Sequence, residues 1–149
     1  MKINNVICII ALVIILAGCA TSRNVTVGQL APQKKLTTAA FVPQDGNSPE
    51  MDSYVQQQLM AHGITPKLSL PAGTRQSSDV DVIVVYSDVW RWDIAMYLQS
   101  LTINLIDGGS GNLLATGHWD NSVFHGFQNP RDVVKELLDD VFAKLPASK

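Results

Sequence analysis

Val80-Asp81-Val82-Ile83-Val84-Val85-Tyr86, residues 80–86, decides how the rest of the chain is read. Val80, Val82, Val84 and Tyr86 alternate to one side, while Ile83, Val85 and the later Val89 take the other. A strand with one solvated face alternates apolar and polar side chains, so apolar residues on both faces predict a central strand. Downstream, Tyr97, Leu101, Ile103 and Leu105 form an inward series against polar Ser100, Thr102 and Asn104. Asp107-Gly108-Gly109-Ser110-Gly111-Asn112 supplies turn residues that tolerate positive φ, and Leu113 to Trp119 returns antiparallel. Gly117 within that return predicts a bulge or the close approach of a neighbour.

Outward from this meander, two helices are expected. Ser48-Pro49-Glu50 reads as cap, first-turn proline and acid, with Met51, Val55 and Leu59 on one face and Gly63 as the stop. Asn129-Pro130-Arg131-Asp132 repeats that start. Val134, Leu137, Leu138, Val141, Phe142 and Leu145 then make the chain's strongest amphipathic stripe, ended by Pro146. Leu36 to Val42 reads as a strand, and Ile64 to Leu70, interrupted by Pro66, as an edge strand or irregular extension. The fold class expected is α+β: a mainly antiparallel sheet of about five strands with two helices packed on one face, forming a single domain over residues 35–146.

The chain opens with Lys2, an apolar run from Val6 to Leu16, and Leu16-Ala17-Gly18-Cys19. This resembles the lipobox of bacterial lipoproteins. The run is short for a spanning helix, which needs roughly 20 apolar residues, and suits a signal-peptide core. The resemblance implies that residues 1–18 are a signal peptide removed on maturation, and that Cys19 carries the lipid. Ala20 is not the aspartate associated with inner-membrane retention, so the periplasmic face of the outer membrane is the expected location. Residues 19–34 read as a lipidated N-terminus and tether, with Val25-Thr26-Val27 as a short edge strand within it.

The mature chain carries a net charge near −3 and no basic cluster beyond Lys34-Lys35. Phosphate backbones demand several convergent cations, which argues against a nucleic-acid partner. Cys8 falls in the signal and Cys19 is acylated, so no disulfide is expected. The membrane contact expected is the lipid itself, and the partner expected is another envelope protein.

Tyr86-Ser87-Asp88-Val89-Trp90-Arg91-Trp92-Asp93, leading to Tyr97, has the most chemical character. Trp90 and Trp92 share a strand face and, with Tyr97, read either as an aromatic binding surface or as the rim of the core. Asp88 and Asp93 are acids of the kind that pair in glycosidases, but their spacing does not set them face to face. His118 and Asp120 share a strand face, with His125 near and His62 distant; these are types zinc accepts, at no recognised ligand spacing. Ser87, Ser100 and Ser122 sit in no nucleophile elbow, and the glycine-rich turn opens no helix. No catalytic residue, metal or cofactor is therefore assigned, and the protein is read as not an enzyme.

A lipobox, the Asp79–Tyr86 strand, Trp90-x-Trp92-Asp93-x-x-x-Tyr97-Leu98 and a strand ending in a glycine-rich turn together resemble small lipoproteins of Gram-negative bacteria. These are similar in layout to domain-of-unknown-function lipoproteins with a fold like the N-terminal domain of TolB. The resemblance covers roughly residues 36–145 and implies no catalytic residues. It implies a non-enzymatic accessory or interaction module of the envelope. The alternative is a module that binds a lipid, glycan or peptidoglycan fragment at Trp90, Trp92 and Tyr97.

Overall fold

The computed structural model describes residues 21–28, 35–122 and 126–146. The expected signal peptide, Cys19, Lys34 and His125 lie outside the described residues. The fold is α+β, with two helices and one mixed sheet of six strands. The strands are β1 (Ser22–Val27), β2 (Thr38–Phe41), β3 (Thr65–Pro66), β4 (Val82–Trp92), β5 (Met96–Asp107) and β6 (Leu113–Asp120). Helix α1 (Pro49–Ala61) follows β2, and α2 (Pro130–Lys144) follows β6. Among the described residues no helix is long and apolar enough to cross a membrane.

The sheet order is β1-β6-β5-β4-β2-β3. The β4-β5-β6 meander is antiparallel as expected, and β1 adds antiparallel to β6 with Ser22 opposite Asp120 and Val27 opposite Ala115. Part of the expected tether is thus an edge strand, and it begins earlier than Val25. On the other side, β2 runs parallel to both β4 and β3, which makes the sheet mixed. A parallel pair needs a long crossover, and the segment carrying α1 provides one between β2 and β3. Asp81 ties the starts of β2 and β4 together. Its carboxylate accepts from the Thr37 and Thr38 amides (2.9 and 3.1 Å) and from both hydroxyls (2.7 and 3.2 Å). Burial alone would raise the Asp81 pKa, but these hydrogen bonds outweigh it and hold the carboxyl below its ordinary value.

Both helices lie on one face of the sheet. Met51, Val55 and Leu59 from α1, and Val134, Leu137, Leu138 and Val141 from α2, are fully buried against Val82, Val84, Leu101, Ile103, Leu105 and Ala115. Helix α1 ends in a Schellman motif: Gly63 takes φ 77°, its N–H donates to the Met60 carbonyl, and Ile64 donates to Leu59. The accompanying Ile64 and Leu59 side chains are both in the core. Asn129 caps α2 by accepting from the Arg131 amide at 3.0 Å.

Among the described residues the opposite face is covered at its far end, where Phe127 packs on Tyr97, and near β2. There Ala40, Val42, Val80 and Ile83 form a small second cluster with Leu70, Val85 and Ile106. Val80 therefore faces away from Val82, contrary to the alternation expected from sequence, because the strand begins only at Val82. Further along, the uncovered face presents Ser87, Thr102, Asn104, Thr116 and His118.

Candidate functional site at the hairpin end of the sheet

Strands β4 and β5 are longer than their neighbours, so the pairs Trp90–Leu98, Arg91–Tyr97 and Trp92–Met96 extend past the end of β6. Val89 pairs with Ser100 but Trp90 with Leu98, leaving Gln99 as the extra residue of a bulge. One extra residue reverses which side chains face the helices. Leu98 is therefore the core residue, beside Trp90, and Tyr97 lies on the other face with Arg91. This corrects the expected inward series, which placed Tyr97 with Leu101 and Ile103.

The three aromatics consequently do not make one surface. Trp90 is half-buried against the core, and its indole N–H donates to the Asp88 carboxylate and, at 3.2 Å, to Ser48 Oγ. Tyr97 is only 7% exposed and meets Phe127 edge-on, with ring centroids 6.1 Å apart. Trp92 alone stands in solvent, 71% exposed, at a tip that also carries Ile94 (84%) and Met96 (54%). Arg91 is exposed on the face away from both tryptophans.

Asp88 joins this end of the sheet to the start of α1. It is 8% exposed and accepts from the Ser48 amide and, at 2.6 Å, from the Ser48 hydroxyl. Ser48 occupies the expected N-cap position, but its hydroxyl is spent on Asp88 rather than on the helix amides. A carboxylate beside a helix N-terminus is also favoured by the helix dipole. Asp93 sits beyond the Trp92–Met96 pair, on the order of 15 Å along the strand from Asp88, so the two acids are not brought together. Asp88→Ala, which strands the Trp90 indole and the Ser48 amide, is expected to lower stability by about 2–3 kcal/mol. Urea unfolding followed by tryptophan emission checks this, and a loss below about 0.5 kcal/mol would contradict it.

Next to this cap lies a cleft of about 240 Å³, lined by Phe41, Pro43, Asn47, Ser48, Asp52 and Tyr86. Tyr86 donates to Asp52 Oδ1 at 2.8 Å, and the Asn47 amide donates to the Tyr86 carbonyl at 2.8 Å. Burial, reinforced by the hydrogen bond to Asp52 and by the charges of Asp52 and Asp88, pushes the Tyr86 pKa well up. The phenol keeps its proton at any physiological pH and serves as a donor, not a nucleophile. The cleft is smaller than the roughly 300–1,000 Å³ usual for small-molecule sites. Sequence reasoning placed Tyr86 in the core but had no signal linking it to Asp52, because the pairing is made by the tertiary fold.

His118 and Asp120 do share the uncovered face, with His118 Nε2 2.7 Å from Asp120 Oδ2 and Nδ1 2.8 Å from the Thr102 hydroxyl. Among the described residues no group of three or more His, Cys, Asp or Glu side chains could hold a metal ion. His62 stacks on Phe142 at 4.2 Å and meets Asp139 at 2.9 Å, which joins α1 to α2. Asp139 is also bound by Lys135 at 2.7 Å and Gln58 at 2.6 Å. The Lys135 hydrogen bond leads in holding the Asp139 pKa below its usual value. Ser87 and Ser100 lie on strands, and the Ser122 amide donates to Asn121.

No protein-family model and no curated protein sequence matches the chain. Solved structures do match it. In fold the chain is similar to PelC. The PelC chain of a dodecamer from Paraburkholderia phytofirmans aligns with a TM-score of 0.56 over 87% of this chain and 100% of its own, at 17% identity. A leucine-to-methionine variant of that dodecamer gives 0.53 over the same shares, at 16% identity. The likeness is one of fold.

Proposed function

We propose that the protein is a lipoprotein anchored on the periplasmic face of the outer membrane, acting there as a non-enzymatic accessory or interaction module. The observation that carries this is the junction between anchor and body. The apolar run ends in Leu16-Ala17-Gly18-Cys19, and strand β1 begins three residues later. β1 is fastened to α2: Arg23 pairs with Glu136 and, at 2.7 Å, with Asp140, and Lys144 donates to the Val25 carbonyl. A lipid on Cys19 would thus hold the folded body itself, close to the bilayer.

The non-enzymatic reading is supported by what the candidate polar groups do. Asp88 holds Ser48 and Trp90, Asp52 holds Tyr86, and Asp139 holds His62 and Lys135. The interaction reading is supported by the uncovered sheet face. The PelC chain of similar fold is found in a dodecamer, which favours further copies of this chain as one class of partner. Site-specific photo-crosslinking in living cells, from position 118 of the full-length protein, tests the reading. A discrete heavier band in the outer-membrane fraction is expected. Recovery with inner-membrane markers would overturn the location, and substrate turnover by the purified protein would overturn the non-enzymatic role.

The alternative, a module for a lipid, glycan or peptidoglycan fragment, keeps one specific support in the exposure of Trp92. It loses Trp90 and Tyr97 as partners of that ring, since one is hydrogen-bonded to Asp88 and the other is buried.

A further inference from the structure

We infer that the β4–β5 hairpin tip, Trp92 to Met96, is a second membrane contact that seats in the phospholipid interface beside the lipid anchor. This rests on the anchored reading of Cys19 and adds to it an orientation of the body.

The strand register carries the inference. Ser22 pairs with Asp120, Asp120 with Ser100, and Ser100 with Val89, so the start of β1 and the base of the tip lie at one end of the sheet. β1 runs away from that end, so the chain before Ser22 leads toward it. Cys19 has at most about 10 Å of extended chain to Ser22. The hairpin continues four to five residues beyond Val89, roughly 15 Å. A lipid on Cys19 and the end of the hairpin therefore reach the same plane.

The tip's composition fits that plane. Trp92, Ile94 and Met96 are 71%, 84% and 54% exposed, and Phe127, packed on Tyr97 at the same end, is 56% exposed. Large apolar side chains clustered at one protruding end are unusual on a surface that only meets water. Tryptophan favours the headgroup level, where its ring is apolar and its N–H is wet. Asp93 lies within the tip and Arg91 immediately before it, so the two charges cancel over residues 91–96. At the opposite end of the sheet Thr37, Thr38 and Asp81 are hydrogen-bonded to one another, and among the described residues Leu113 is a single exposed apolar side chain, at 41%, against the three of the tip.

The test uses the full-length, membrane-extracted protein reconstituted into vesicles of phosphatidylethanolamine and phosphatidylglycerol, with or without phosphatidylcholine brominated high on its acyl chains. Bromine quenches indole emission only at contact range. The emission difference between the protein and Trp92→Phe isolates Trp92 from Trp90 and Trp119. About a twofold loss of the Trp92 emission in brominated vesicles is expected. Ile94→Asp, at an exposed position that leaves the core intact, should remove most of that loss while the protein stays vesicle-bound through its lipid. Unchanged Trp92 emission in vesicle-bound protein would overturn the inference and leave the anchor standing; so would a tip that crosslinks only to protein. The mass of the N-terminal peptide reports the anchor separately. If Cys19 carries no lipid the anchored reading falls, and Trp92 quenching still decides whether the tip meets the bilayer.

Discussion

Gly108→Ala is expected to cost about 3 kcal/mol or more, far beyond the usual effect of adding one methyl group in a turn. A Cβ at position 108 would lie 2.0 Å from the Val80 carbonyl oxygen and 2.8 Å from that of Ser77. Both are backbone atoms, so no side-chain rotation relieves the clash. The same residue holds two hydrogen bonds, donating to the Asp81 carbonyl at 2.9 Å and accepting from the Ser77 amide at 2.8 Å. Moving the 77–81 segment away would break both and open the cluster of Ala40, Val42, Val80 and Ile83. Gly109→Ala is the matched control. Its Cβ would meet nothing nearer than Asp107 Oδ1 at 3.5 Å, and a change within about 0.5 kcal/mol is expected. Urea unfolding of the two variants side by side checks the contrast, and equal midpoints would contradict it.

Gly117→Val should have the second large effect, about 2–3 kcal/mol of destabilisation. Gly117 lies on β6 directly beneath α2, where a Cβ would sit 2.9 Å from Val141 Cγ2 and 3.0 Å from Leu137 Cγ and Cδ1. The glycine anticipated from sequence as a bulge or a close approach is the latter: the β5–β6 shift falls at Leu105–Ile106, away from it. Leu137 is fully buried, so Leu137→Ala alone should cost about 2–5 kcal/mol by leaving a cavity. Combined with Gly117→Val, the new methyl groups enter that cavity. The pair is expected to cost at least about 1 kcal/mol less than the sum of the single changes. Strict additivity would mean that β6 and α2 do not touch at this point.

Where side-chain periodicity is strong, the architecture was readable. The α2 stripe, the proline-initiated starts of both helices, the Gly63 stop and the β4-β5-β6 meander follow from local pattern alone. Strand β1 was half hidden because an edge strand buries little: Val25 is its one buried side chain, among Ser22, Arg23, Asn24 and Thr26. The parallel placement of β2 was not readable, since nothing in Thr38-Ala39-Ala40-Phe41 records which strand lies beside it. That choice is made by contacts such as Asp81 with Thr37 and Thr38, more than forty residues apart.

The candidate site was read least well, and for one physical cause. A single bulge residue, Gln99, reverses the faces of the β5 side chains toward the tip, while those of β4 keep their alternation. Tyr97 and Leu98 exchange roles, and the supposed aromatic surface divides into a core rim at Trp90, a buried ring at Tyr97 and an exposed ring at Trp92. The use of Asp88 as the partner of the α1 cap was equally out of reach, because Ser48 lies forty residues away in sequence.

The central claim is that the chain works from the membrane through Cys19. It is tested most directly by intact and N-terminal peptide mass measurement on protein extracted from the outer membrane of cells expressing the full sequence. The account predicts a chain that begins at Cys19 and carries diacylglycerol and acyl groups, with Cys19→Ser abolishing both the lipid and the cut. A mature protein that retains residues 1–18, or one that begins elsewhere without lipid, would contradict it.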